Sequence, residues 1–308
     1  MTGPHSRNVA ASVRARLLRR MPELGDNRFE RLLRRFAIER FLYRLGRSKD
    51  RERFVLKGAI LLFAFGGRAA RPTKDLDLLG FGALGDDDLR ATIRGICSVD
   101  LEAPDGVEFH PEQARLVPIR IEDEYGGTRI FLPYAMDTAR DRIQIDVGIG
   151  DSVYPDPEDM TYPTMVDLPA PRIRAYRRET VIAEKVEALV TLGETSSRLK
   201  DFYDLWALSS DEEFSGRELS NALRKTFAHR QTVWPTEGPE GLNITFFEDG
   251  LRQKAWASFV EDRLLATTAP PFPIVGECLR RFLLPLLDGA GDEATGFEKD
   301  WSPTKGWE

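Results

Sequence analysis

The sequence predicts an α/β chain: a mixed sheet, basic helices ahead of it and a run of helices behind it. Three observations carry that prediction. Several short stretches between residues 54 and 149 alternate apolar and polar residues, the period of half-buried strands. The stretches on either side place their apolar residues at helical spacing. A segment with five prolines, 151–172, separates the two regimes. The expected division is a sheet core with N-terminal helices over 1–168 and a helical domain over 169–308.

Residues 8–21 and 27–46 read as helices. In the second, Phe29, Leu32, Leu33, Phe36, Ala37 and Phe41 form an apolar stripe. Arg28, Arg31, Arg34 and Arg35 lie largely off it, and for any one of them a solvated basic face is the simpler reading. The apolar run Phe54–Leu56 then meets Lys57-Gly58, and a helix-compatible segment, Ala59–Phe65, follows. A Gly/Arg loop leads to a strand at Asp75–Leu78. A helix is expected from Asp87 to about Val99, a strand over 114–122, and a turn at Tyr125-Gly126-Gly127. Arg129–Tyr134 and Arg142–Ile149 read as two further strands. In the last, Ile143, Ile145, Val147 and Ile149 share one face, with Gln144, Asp146 and Gly148 on the other.

The proline-rich segment 151–172 is a poor helix and reads as a linker or wrapping loop. Helices are expected over 179–193, 197–209, 215–230, 246–265 and 274–287, with Ser215 and Glu218 placed for a capping box. Phe246, Phe247, Trp256 and Phe259 read as core, and the Gly-rich tail from Asp288 as mobile.

Composition excludes several classes. With 308 residues, 42% hydrophobic and 31% charged, the chain can bury a core. Cys97 and Cys278 are the only cysteines, and His5, His110 and His229 are scattered. A disulfide scaffold, a zinc site and a histidine-based triad are therefore not expected. No run approaches the roughly 20 apolar residues of a membrane span, and the N-terminus has no apolar signal core. The expectation is a cytoplasmic protein without a membrane partner. Net charge is −6, yet residues 1–53 hold fifteen Lys/Arg against six Asp/Glu. An acidic chain with one basic region is compatible with a polyanionic partner.

The chemistry begins at Asp75-Leu76-Asp77. In a strand both carboxylates project to one face, where they repel each other. A divalent cation removes that repulsion, and hard oxygen ligands select Mg²⁺; a solvated strand end is the simpler alternative. Asp146 interrupts an apolar strand and so needs a partner. Further on, Glu184-Lys185 precedes Arg198, Lys200, Asp201 and Asp204, and the last two share a helix face at i and i+3. On charge alone, Lys185 and Asp201 read as an interhelical salt bridge.

LKGAILL…RPTKDLDLLG resembles the signature of the AbiEii/AbiGii toxin family, which includes the MenT-type toxins. These belong to the DNA polymerase β-like nucleotidyltransferases. The family pattern, KGG(T/S)AL…R-x-T-x-D-x-D, is matched by Lys57, Gly58, Arg71, Thr73, Asp75 and Asp77. Ala59 and Ile60 depart from it, replacing a second glycine and a hydroxyl residue. IAEKVEALVTLGETSSRLKDFYDLW is similar to the family's second signature, AEK…R-x-K-D-x-Y-D-L. The resemblance runs over about residues 27–210.

It implies a nucleotidyltransferase core completed by the helical domain, with the active site in the cleft between them. Asp75, Asp77 and Asp146 would hold Mg²⁺, or alternatively Mn²⁺. Lys57, Gly58, Thr73, Lys185, Arg198 and Lys200 would bind the NTP, and Asp201 would position Lys185 or the acceptor. The implied reaction is transfer of a nucleoside monophosphate to an acceptor, the tRNA 3′ end in a toxin that blocks translation and has a cognate antitoxin. Arg28, Arg31 and Arg35 would be the RNA-facing arginines. Two other readings stay open: transfer to a protein or small molecule, and a nucleotide-binding module without turnover.

Overall fold

The structure is a computed structural model describing residues 4–22, 28–67, 71, 73–119, 126–193, 198–262, 269–290 and 297–308. Tyr125 of the expected turn, the strand end at 120–122, the helix starts at Asn27 and Ser197, and the helix end at 263–265 lie outside the described residues. The chain forms two compact units. One comprises residues 1–64, 72–151 and 158–175; the other comprises 65–71, 152–157 and 176–308.

The first unit carries α1 (Pro4–Arg20), α2 (Phe29–Arg47), β1 (Phe54–Lys57), α3 (Gly58–Phe65, ending on the first residue of the other unit), β2 (Asp75–Gly80) and α4 (Asp86–Cys97). It continues with β3 (Glu108–Phe109), β4 (Arg115–Ile119), β5 (Gly127–Met136), β6 (Ala139–Ile149), β7 (Glu158–Thr161) and β8 (Arg172–Ala175). These strands make one mixed eight-stranded sheet in the order β3-β5-β6-β2-β1-β8-β7, with β4 also on β5. β2 lies between antiparallel β1 and parallel β6, so the two acid-bearing strands are neighbours.

One expectation is corrected here. The proline-rich segment is not merely a linker: β7 forms within it and pairs with β8, which runs parallel to β1 and returns the chain to the sheet. Its strands are too short for periodicity to reveal, and pairing supplies their hydrogen bonds. Ile149 shares the face of Ile143, Ile145 and Val147 but is exposed, because it ends β6.

α2 is buried on all faces from Phe36 to Leu45, nearly three turns. α1, α4, β6 and β8 all pack against it. Its arginines are correspondingly tied down. Arg44 grips both carboxylate oxygens of Asp105 at 2.7 and 3.1 Å, and Arg34 reaches Asp141 at 2.7 Å. Arg14, Arg47, Arg51 and Arg53 likewise pair with acids from beyond residue 53, and Arg40 pairs with Glu39. Much of the positive excess in the first 53 residues is thus met inside its own unit.

Glu39 is fully buried on α2, and burial pushes its pKa up to about 7, against the opposing pull of Arg40 and the Met165 N–H. The native state therefore keeps a proton that the unfolded chain releases near pH 4.5. Stability should fall as pH rises between those two values, by roughly 3 kcal/mol at most, and level off above. Urea titrations across this range should show that slope in the wild type and a flatter profile in Glu39→Gln. An equal slope in both would clear Glu39 of the effect.

The second unit is helical: α5 (Arg178–Leu192), α6 (Leu199–Asp211), α7 (Gly216–His229), α8 (Ile244–Glu248), α9 (Gly250–Asp262) and α10 (Phe272–Ala290). The helix expected over 246–265 is two, broken at Asp249-Gly250. Ser215 does stand at the N-cap of α7, but it makes no side-chain cap bond, so the capping box is absent. Phe246, Phe247 and Phe272 pack around Phe202, and Trp256 lies against Phe272 and Phe259; Phe246, Phe247 and Trp256 take the expected core role, while Phe259 is half-buried at its edge.

The tail expected to be mobile is structured where described. β10 (Asp300–Ser302) pairs with β9 (Phe214–Ser215) and with β11 (Gly306–Trp307), while Trp301 and Trp307 pack on Phe282 of α10. Among the described residues no helix is long and apolar enough to cross a membrane.

Candidate active site

In the first unit, strand register lines up four charged residues. Lys57 on β1 lies opposite Asp77 on β2, Asp77 opposite Asp146 on β6, and Asp146 opposite Arg129 on β5. Residues directly opposite share a face, so a lysine, two acids and an arginine form one row across four strands. Asp75 stands two residues before Asp77 on the same face, opposite Gln144.

The row is held by specific contacts. Arg129 grips Asp146 with both arms of its fork, Nε to Oδ1 at 2.8 Å and Nη2 to Oδ2 at 2.7 Å. Gln144 Nε2 donates to both carboxylate oxygens at 3.2 Å. The bond to Asp146 chiefly, with the charges of Asp146, Asp75 and Asp77, raises the pKa of Arg129 against the effect of burial. Lys57 Nζ pairs with Asp151. Thr73 Oγ1 accepts from the Asp75 N–H at a long 3.5 Å.

Gly58 is required twice. Its φ of +71° favours glycine, and a Cβ there would stand 2.0 Å from Asp77 Oδ2. The Lys57-Gly58 turn is thus the seat of the Asp77 carboxylate.

In kind the donors suit a hard divalent cation: three carboxylates on one sheet face, two of them in direct register. Among the described residues no three His, Cys, Asp or Glu side chains are gathered into a cage for a metal ion, and Asp146 is turned to Arg129.

The second unit holds a buried ionic cluster. Lys185 of α5 donates to Asp201 Oδ1 at 2.7 Å and lies 2.7 Å from Asp204 Oδ2. Arg71 forks onto Asp204 through Nε at 2.6 Å and Nη2 at 2.9 Å. Arg198 Nε lies 3.3 Å from Asp201 Oδ2. The interhelical Lys185–Asp201 bridge expected from charge is present.

Burial would depress the lysine's pKa, but the charges of Asp204 and Asp201 outweigh it and raise the pKa above the usual lysine value. Burial likewise works against ionised Asp201, and the Lys185 charge overcomes it, so that carboxyl titrates below its usual range. Lys185 is therefore a fixed cation rather than a base. An ammonium has three donors, and carboxylates of Asp201 and Asp204 meet this one.

Sequence reasoning missed Arg129 and Asp151 and did not assign Arg71 or Asp204 a task. Arg129 lies on a strand correctly expected, yet only the β5–β6 register sets it against Asp146. Asp204 and Arg71 are 133 positions apart; both stood inside the two signatures, which was the available signal. Lys200 is exposed, as is Arg28, while Arg31 is partly so. Arg35 stacks on the Phe63 ring, 3.3 Å from its centroid.

The family model of the nucleotidyl transferase AbiEii toxin of type IV toxin–antitoxin systems matches residues 40–277, which reaches well past the second signature. No curated protein matches the chain by sequence. Among solved structures, a putative nucleotidyltransferase from H. pylori aligns with TM-score 0.51 at 15% identity, covering 84% of this chain and 95% of that one. JHP933 from Helicobacter pylori aligns with TM-score 0.50 at 15% identity, over 84% and 92% of the two chains. MenT4, a nucleotidyltransferase toxin from Mycobacterium tuberculosis H37Rv, aligns at 0.47 and 17% identity, over 90% and 98%. The two H. pylori structures speak for the fold; the family match covers most of the sequence, and the chain belongs to the AbiEii family of nucleotidyl transferase toxins.

Proposed function

We propose that this toxin transfers a nucleoside monophosphate from an NTP to an acceptor hydroxyl in a Mg²⁺-dependent reaction, and that the acceptor is the 3′ end of tRNA. The observation that carries the reading is the register of Asp77 against Asp146 on parallel neighbouring strands, with Asp75 on the same face. Nucleotidyl transfer places negative charge on the attacking oxygen and on the leaving pyrophosphate, and it needs cations beside both.

Asp75, Asp77 and Asp146 would hold the metal, whose chemistry is to activate the hydroxyl and neutralise the triphosphate. The acceptor oxygen bonds to the α-phosphorus, the bond to the α–β bridging oxygen breaks, and pyrophosphate leaves with that electron pair. A carboxylate of the acid face takes the hydroxyl proton. Lys185, Arg198 and Lys200 would bind phosphate oxygens, Lys57, Gly58 and Thr73 would line the nucleotide side, and Asp201 would aim Lys185. Arg28, Arg31 and Arg35 are proposed for the RNA.

Incubating the protein with each labelled NTP, Mg²⁺ and total RNA, followed by gel separation, should show label in the tRNA band and none when EDTA is added. In the same system, replacing Arg28, Arg31 and Arg35 by glutamine should weaken tRNA binding and flatten its salt dependence, because fewer counterions are released. Label on no RNA would move the acceptor to a protein or a small molecule. One observation favours that second reading: six arginines of the basic segment are already paired with acids from beyond it.

A further inference from the structure

Among the described residues four arginines take both oxygens of one carboxylate, and their surroundings separate them: Arg217 with Glu298 lies on the open surface, its side chains 67% and 61% exposed. Arg44 with Asp105 and Arg71 with Asp204 are sealed, their side chains at most 5% exposed. Arg129 with Asp146 is different: the guanidinium is 40% exposed, while the carboxylate is 16% exposed. A sealed pair cannot be opened without leaving a charge in an apolar medium, which makes it structural. The Arg129 guanidinium reaches solvent, so this pair opens at less cost than the sealed ones, although Asp146 itself is largely buried.

The position of this open pair sets it apart further. Arg129 sits at the end of the charged row, opposite the carboxylate that the proposed function assigns to the metal, and its fork takes both oxygens of that carboxylate. The fork and the Gln144 amide together engage both oxygens of Asp146, whose lone-pair sites number about four, so a cation coordinated there must displace one of these donors, and the charged one is repelled by it. Guanidinium and metal are then alternatives at one carboxylate.

We propose that Arg129 is a built-in countercation of the acid face, competing with a divalent cation for Asp146 and giving way when that cation enters. The inference rests on the reading of Asp75, Asp77 and Asp146 as the metal-binding acids. Gln144, which donates to the same oxygens without charge, keeps Asp146 oriented during the exchange. Arg129 also lowers the mutual repulsion of the three acids, whose charges all act on it. Released from Asp146, it remains beside the acids as a solvent-facing cation suited to a phosphate oxygen.

The test is Mn²⁺ binding, measured by calorimetric titration of the full chain at fixed ionic strength without nucleotide. Arg129→Gln should bind Mn²⁺ about fivefold more tightly than wild type, roughly the change expected on removing a partly exposed ion pair, and Asp146→Asn should bind it more weakly. Unchanged or weaker binding by Arg129→Gln overturns the proposal, since it would make Arg129 a support for Asp146 rather than its competitor. Should that variant fail to fold, Arg129→Lys carries the test: lysine keeps the charge but cannot fork, so a smaller tightening is expected, and none overturns the idea. Wild-type transfer assays with and without Mn²⁺ separate the two levels. Metal-dependent transfer with no tightening in the variants removes the role of Arg129 alone. Transfer that persists in EDTA removes the metal reading beneath it.

Discussion

Asp77→Asn is expected to cut nucleotidyl transfer by roughly 10³-fold or more while leaving the fold intact, the scale of losing a group that stabilises transition-state charge. The asparagine is isosteric, so it still sits on Gly58, where no side chain could replace the missing hydrogen. What changes is the charge: a neutral amide opposite Asp146 no longer offers a hard anionic ligand. The loss should appear in transfer of labelled nucleotide at saturating NTP, alongside an unchanged circular dichroism spectrum and melting temperature. Near-normal transfer by the variant with metal bound would remove Asp77 from the acid set and the proposed mechanism with it.

Asp204→Asn should have the largest effect on stability. Its side chain is fully buried between Arg71 and Lys185. Neutralising it leaves two cations in a closed environment, a loss of about 3–5 kcal/mol for a broken buried pair. Removing the pair together should cost less: Arg71→Met with Asp204→Leu ought to be more stable than Asp204→Asn alone, by urea unfolding of the second unit. Additive losses would show that these charges are not coupled.

The same cluster changes what Lys185→Ala should do. Read from the second signature alone, the variant should lose NTP affinity and little stability. With two carboxylates on its ammonium, it should lose both. Affinity measured well below the variant's melting temperature then decides the role. Unchanged affinity there would leave Lys185 a structural cation.

Much of this molecule is legible in its sequence. Alternation in 142–149 located β6, and it placed Asp146 opposite in sense to Ile143, Ile145 and Val147, because a strand's side chains alternate by necessity. Asp75 and Asp77 share a face for the same reason. Helical spacing found α2 and α5, and the paired signatures pointed to the family. These are local properties, decided by the period of the backbone and the identity of near neighbours.

What only the tertiary structure decided is which distant residues meet. The parallel pairing of β2 with β6 sets Asp77 level with Asp146. The β5–β6 register brings Arg129 onto that acid, and the fold of the second unit closes Arg71 and Lys185 on Asp204. The burial of α2 on every side, the return of the proline-rich segment to the sheet and the ordering of the last residues by β9 belong with these. Each depends on a partner far away in sequence, and the free energy that selects it comes from desolvation and pairing, which no single stretch of chain possesses.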